Sequence, residues 1–139
     1  MSLSRNRQNY IIMSVIYIEL NDFNYGEKGL SRKAKELMYE MVEEEGETSI
    51  PPFVEDMVNV TLMNYGEIVN KLTPYLKAWK WERIPLLSQA ILLMSYTHYY
   101  KIEKVAKAIV IDVAINLAKQ YVDEEQAKFI NGLLDNALV

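Results

Sequence analysis

Cysteine is absent from the 139 residues. That excludes a disulfide framework and thiolate zinc sites, and it suits a reducing compartment. Glycine and proline are scarce, at 5 and 4 residues, so few breaks interrupt a chain rich in Leu, Ile, Met, Glu and Lys. Such a composition leans toward helix. No apolar run approaches the ~18 residues needed to cross a bilayer. No secretory signal is legible either, because Arg5 and Arg7 lead into an apolar stretch without a small-residue cleavage site. Only one histidine is present, His98 in "YTHYY". A lone histidine serves a Ser-His-Asp triad only where partners converge on it, and there is no Gly-x-Ser-x-Gly. No Glu-x-x-His pair or glycine-rich phosphate loop occurs, which removes a helical di-iron site and a P-loop. Glu43, Glu44, Glu45, Glu47, Glu55 and Asp56 follow no calcium-loop spacing and read as a solvated face. These absences argue against an enzyme.

What is present is ordinary for one globular domain: half the residues are apolar and about a quarter charged. The net charge of −4 is unevenly spread. From Glu36 to Asn70 there are nine acids and no Lys or Arg. All 15 basic residues lie elsewhere, against 10 acids, which leaves room for one basic face on an acidic molecule.

Apolar spacing predicts about seven helices with short connections. In "SRNRQNYIIMSVIYIEL", Ile11, Ile12, Val15, Ile16 and Leu20 step by three and four, so the helical period outweighs the strand propensity of the β-branched residues. This helix should end before Asn21. Arg5 and Arg7 fall in its first turn, where positive charge opposes the helix dipole, a hint of an anionic partner. Residues Asp22–Leu30 read as a loop. A second helix carries Ala34, Leu37, Met38, Met41 and Val42 inward, with Ser31 as its cap. Its glutamate-rich far end should fray. After "SIPPF", where Pro51 or Pro52 can start a helix, Phe53, Val54, Met57, Val58 and Thr61 face inward. Gly66 marks a break, and the pattern resumes with Ile68, Val69, Leu72, Tyr75 and Leu76. Pro74 should end or bend that helix. Trp79 and Trp81, two apart, should point different ways, one into the core and one outward. Pro85 opens a buried helix to about Tyr100. The next has Ala106, Val110, Val113, Ala114, Leu117 and Tyr121 inward, with Ile111 and Ile115 off that stripe. The methionines lie mostly on these stripes and read as packing.

The last segment, "DEEQAKFINGLLDNA", holds Asn131-Gly132, a dipeptide that marks hairpins when strands flank it. Here Ala127, Ile130, Leu134 and Ala137 form a helical stripe, and Asp123 with Gln126 forms a capping box. Gly132 therefore lies inside a helix, where it costs about 1 kcal/mol relative to alanine. The expected reason is a close approach by another backbone. The resulting fold class is all-α, two layers or two small bundles.

In order along the chain, "LTPYLKAWKWERIPLLSQAILLMSYTHYY", "AINLAKQY" and "KFINGLLDNA" resemble the NusB family of transcription antitermination factors. That family shows a Pro-Tyr-Leu, a Trp followed by an Arg, an Ala-Ile-Leu helix, a Leu-Ala-Lys helix and a closing Lys-Phe-Val-Asn-Gly-Val-Leu-Asp. Residues Lys128–Asp135 match this closing motif nearly whole. The resemblance spans essentially the full chain, strongest from Leu72 onward and weak between Asn21 and Ile50. It implies about seven helices in two perpendicular bundles, with a boundary near 78/79, in a bacterial cytoplasmic protein that is no enzyme and needs no cofactor. It also implies binding of single-stranded boxA RNA together with NusE, a small-subunit ribosomal protein, within the transcription elongation complex. Some family members form homodimers.

Carried over by position, the RNA-contacting set is Arg5, Arg7 and Gln8 at the N-terminus, Tyr75 of the Pro-Tyr-Leu, and Lys128 and Phe129 of the closing motif. Cations hold phosphates while aromatic rings stack unpaired bases. Several positions depart from the family pattern. Asn6 and Gln8 stand where arginines are common, Ile16 replaces an aromatic, and Ser88 and Leu93 replace an acid and an arginine. The acid expected near Gln126 survives as Glu125. Each lost arginine removes a phosphate or base contact. Two other expectations follow: a NusB-like adaptor that has lost RNA recognition, or kinship with the NusB-like domain preceding some ribosomal RNA cytosine methyltransferases. No methyl-donor domain is present in these residues, so the chain should not methylate alone.

Overall fold

A computed structural model describes residues 3–23, 31–77 and 79–139. Seven α-helices follow one another: α1 (Arg5–Phe23), α2 (Ser31–Glu44), α3 (Pro52–Met63), α4 (Tyr65–Leu72), α5 (Leu86–Thr97), α6 (Lys107–Tyr121) and α7 (Glu124–Ala137). Two 3-10 turns, Thr73–Tyr75 and Trp81–Arg83, lie between α4 and α5, and a π-type turn, His98–Ile102, prolongs α5. The described residues contain no strand. The all-α expectation holds.

Two helices make the centre. Along α1 the predicted stripe of Ile11, Ile12, Val15, Ile16 and Leu20 is buried. Along α5 every residue from Ser88 to Thr97 is buried, so this helix is enclosed on all sides. It packs against α1, α3, α4, α6 and α7, while α1 also covers α2 and α3. Enclosing an aliphatic side chain such as Ile91 or Leu92 contributes about 1.5–3 kcal/mol. Some of the polar groups inside tie elements together. Thr61 Oγ1 donates to Thr97 Oγ1 at 2.7 Å, linking α3 to α5. Gln89 Nε2 donates to the carbonyls of Trp81 and Ile84, both at 3.0 Å, and pins the second 3-10 turn onto α5. Helices α6 and α7, separated by only Val122 and Asp123, form a close pair, and α7 also touches the Thr73–Tyr75 turn.

Several local expectations need correction. Helix α1 continues through Asn21 and Asp22 to Phe23. The rest of the expected loop at 24–30, and the side chain of Ser31 proposed as a cap, lie outside the described residues. The acidic end of α2 is closed rather than frayed. Gly46, at φ +86°, donates to the Glu43 carbonyl at 2.9 Å, and Glu47 N donates to the Val42 carbonyl at 3.1 Å. This is a Schellman motif, and its hydrogen bonds outweigh the unfavourable charge at the helix end. The break between α3 and α4 falls at Asn64, and Gly66 lies within the first turn of α4. Ala106 is the exposed residue before α6 and no part of its buried stripe. Pro52 opens α3 and Pro74 follows the end of α4, as expected.

The capping box at α7 is half made. Asp123 Oδ1 accepts from Gln126 N at 2.7 Å, but the Gln126 side chain turns elsewhere: its Oε1 accepts from Ser88 Oγ at 2.8 Å. The start of α7 is thereby joined to α5. Gly132 is in a helix, as read, but for a different reason. It is exposed, and a Cβ added to it would meet nothing within 4 Å. No other backbone among the described residues approaches it, so the close-approach explanation fails.

Candidate nucleic-acid interface

Proline ends α4, and the chain then turns tightly. Leu76 N donates to the Thr73 carbonyl and Trp79 N to the Leu76 carbonyl, both at 3.1 Å. Between them Lys77 takes φ 57°, a left-handed conformation that costs a non-glycine residue roughly 1–2 kcal/mol. Buried Leu76 anchors the turn, which leaves Tyr75, Lys77 and Trp79 outside. They face α7, whose residues Lys128, Phe129, Gly132, Leu133 and Asn136 repeat at helical spacing along the opposite wall. The groove between the two walls has a volume of about 290 Å³. The Trp79 and Phe129 rings lie 6.2 Å apart, tilted by 49°. On their other side is a smaller hollow of about 130 Å³ lined by Ile84, Pro85, Glu125 and Gln126.

The two tryptophans divide as expected. Trp81 is buried, and its Nε1 donates to Tyr65 Oη at 3.0 Å. Trp79 is 50% exposed. An exposed indole, a phenyl ring and a phenol around one groove, with lysine ammonium groups beside them, can stack flat apolar faces and attract phosphate.

The α1 start forms a second place. Arg5 lies over the Phe53 ring, 3.7 Å from its centre, and its Nη1 meets Glu103 Oε2 at 3.1 Å. The same carboxylate oxygen accepts from His98 Nε2 at 2.8 Å. These two donors, His98 foremost, hold the Glu103 carboxyl below its usual range. His98 is therefore buried in an ionic cluster, edge-on to Phe53. Arg7 donates from Nε and Nη2 to Glu45 Oε2 at 3.0 and 2.5 Å, and its guanidinium lies over Tyr10. The Arg7 hydrogen bond lowers the Glu45 pKa and raises that of Arg7. Each arginine that opposes the helix dipole is thus offset by a carboxylate and a ring. Gln8 Nε2 donates to the Leu3 carbonyl at 2.9 Å. A hollow of about 570 Å³ opens beside Arg7, Tyr10, Asn116, Lys119 and Gln120.

Of the residues singled out from the sequence, the structure brings Tyr75, Lys128 and Phe129 together around one groove. Arg5, Arg7 and Gln8 stand apart from it, at the α1 start, and engage intramolecular partners. Sequence reasoning left Trp79 as one of two alternatives and missed Lys77. The signal for both was the proline-terminated helix followed by a tryptophan outside any apolar stripe. No helix among the described residues is long and apolar enough to cross a membrane.

Comparison with known proteins points one way. The chain is 35% identical over 86 residues to the transcription antitermination protein NusB of Macrococcus caseolyticus (strain JCSC5402), a match covering 62% of this chain and 65% of that protein. Its fold superposes on T. maritima NusB with a TM-score of 0.83 at 20% identity, over 99% of this chain and 92% of the other. A crystal structure of the antitermination factors NusB and NusE in complex with dsRNA gives a TM-score of 0.74 at 20% identity, with 98% of each chain covered. The NusB family model itself matches residues 6–138, nearly the whole sequence, so the chain belongs to the NusB family.

Proposed function

We propose that this protein is a transcription antitermination factor that binds boxA-type single-stranded RNA jointly with NusE and promotes ribosomal RNA transcription. On this reading it is a cytoplasmic scaffold and no enzyme. The observation that carries it is the groove in which Tyr75, Phe129 and Trp79 surround open space beside Lys77 and Lys128. Bases within a duplex have their faces covered, whereas unpaired bases offer them to aromatic rings. A single-stranded segment is therefore the better fit here, although the related NusB–NusE complex contains dsRNA. Arg5, Arg7 and Gln8 add a second contact region. An acidic chain gains affinity from a partner that supplies further contacts, which is the role given to NusE.

One observation favours a second reading, a protein-interaction adaptor that has lost RNA recognition: both N-terminal arginines already hold carboxylates. Titrating a labelled boxA oligonucleotide with the chain, with NusE and with the pair separates the two. Joint retardation that neither protein achieves alone supports the RNA reading. Binding by none of the three, with NusE still captured by the chain, supports the adaptor. In the first case Arg5→Gln with Arg7→Gln should flatten the dependence of log K on log salt by about 0.7 per phosphate contact removed. An unchanged slope would remove the α1 start from the interface.

A further inference from the structure

Gly132 has no internal reason to be glycine. It lies in the middle of α7, where glycine costs about 1 kcal/mol relative to alanine. It is not at positive φ, and its Cβ position is empty to 4 Å. Neither backbone strain nor packing among the described residues excludes a side chain. What the missing side chain does is leave the α7 wall of the Tyr75–Trp79–Phe129 groove bare at that point. The backbone there is finished, since Asn136 Nδ2 donates to the Gly132 carbonyl at 3.2 Å. Trp79 presents a similar puzzle. A half-exposed indole is a large apolar surface left in water, and its partner Trp81 shows that this turn can bury one. Lys77 holds a strained conformation at the rim of the same groove. Three local costs therefore meet at one place, offset only in part by the Trp79–Phe129 contact and the hydrogen bond that closes the turn.

We propose that Gly132 is kept bare so that one unpaired nucleobase can lie against the α7 backbone, stacked on Trp79, with its phosphates drawn by Lys77 and Lys128. Trp79 is then a second stacking platform beside Phe129, and Gly132 sets the room for the base. This inference rests on the RNA reading above. Charge decides the occupant: cations line this groove on a molecule whose net charge is −4, so an anionic ligand with flat apolar faces fits it better than an apolar peptide.

The test uses the full chain with NusE and a fluorescent boxA oligonucleotide. Gly132→Ala should raise the thermal midpoint, because alanine is the better helix former and meets no neighbour. Its RNA affinity should nonetheless fall, and Gly132→Leu should weaken binding by about tenfold or more. Trp79→Ala should weaken binding by roughly 5- to 100-fold, as for other base-stacking rings, and Trp79→Phe should restore most of it. RNA should also quench tryptophan fluorescence in the parent chain, and much less in Trp79→Phe. If the parent binds RNA and these variants bind equally well, the inference fails while the RNA reading stands. If the parent and NusE together bind no RNA, both fail. If Gly132→Leu instead weakens NusE capture without RNA, the groove belongs to a protein partner and the inference is overturned.

Discussion

At the scale of single residues, the N-terminal arginines are engaged rather than idle. Arg7 grips Glu45 through two nitrogens, so a phosphate that takes Arg7 must compete with a carboxylate already in place. Exposed pairs of this kind contribute little to folding. They can matter more to binding, where the same guanidinium is contested. Glu45→Gln should therefore leave the thermal midpoint nearly unchanged. It should tighten boxA binding a few-fold at low salt and steepen the salt slope by about 0.7. A binding isotherm at three salt concentrations checks this, and unchanged affinity would mean that Arg7 never meets RNA. From the sequence, Arg5 and Arg7 were visible as misplaced charges. Their partners were not, because Glu103 and Glu45 lie far along the chain and only the packed fold brings them close.

At the scale of elements, two glycines with the same composition-level meaning have opposite structural roles. Gly46 closes α2 at φ +86°, a conformation that strains any residue with a Cβ. Gly46→Ala should destabilise the protein by about 1 kcal/mol, read as a lowered midpoint in urea at unchanged slope. Gly132→Ala should move the midpoint the other way. If both shifted alike, the helix-capping assignment of Gly46 would be wrong. Most helices were legible because their apolar spacing is regular, as in α1, where Ile11, Ile12, Val15, Ile16 and Leu20 are all buried. Their ends were less so. The fraying expected of α2 rested on a dipole argument alone, and two capping hydrogen bonds overrode it. The α3–α4 break was placed at Gly66 on propensity, whereas the chain bends at Asn64. Half of the candidate groove was readable from the closing motif. The other half comes from a turn after Pro74, about fifty positions earlier, which no local pattern ties to α7.

At the scale of the whole molecule, Glu103 is a junction. It joins Arg5 at the start of α1 to His98 just after α5, and both donors hold its carboxyl below the ordinary range. A carboxyl depressed in the folded state stabilises the fold fully above its unfolded pKa of about 4.3. That contribution is lost as pH falls through the lower folded value. The stability gap between the parent and Glu103→Gln should thus be constant near neutrality and close at the acid end. Thermal midpoints measured from pH 7 down to about pH 2 check the sign. A gap that widened on acidification would contradict the ionic junction. Because α5 touches α1, α3, α4, α6 and α7, loss of this tie should reach the entire core rather than one corner.

The hydrogen bond from Ser88 to Gln126 has a consequence for kinetics. It bolts the first turn of α7 to the most enclosed helix of the protein, so that wall of the groove is stiff before any ligand arrives. On the RNA reading proposed above, a flexible oligonucleotide must then adapt to the protein, and the slow adjustment during association belongs to the nucleic acid. Loosening the bolt would shift that adjustment onto the protein and shorten the lifetime of the bound state.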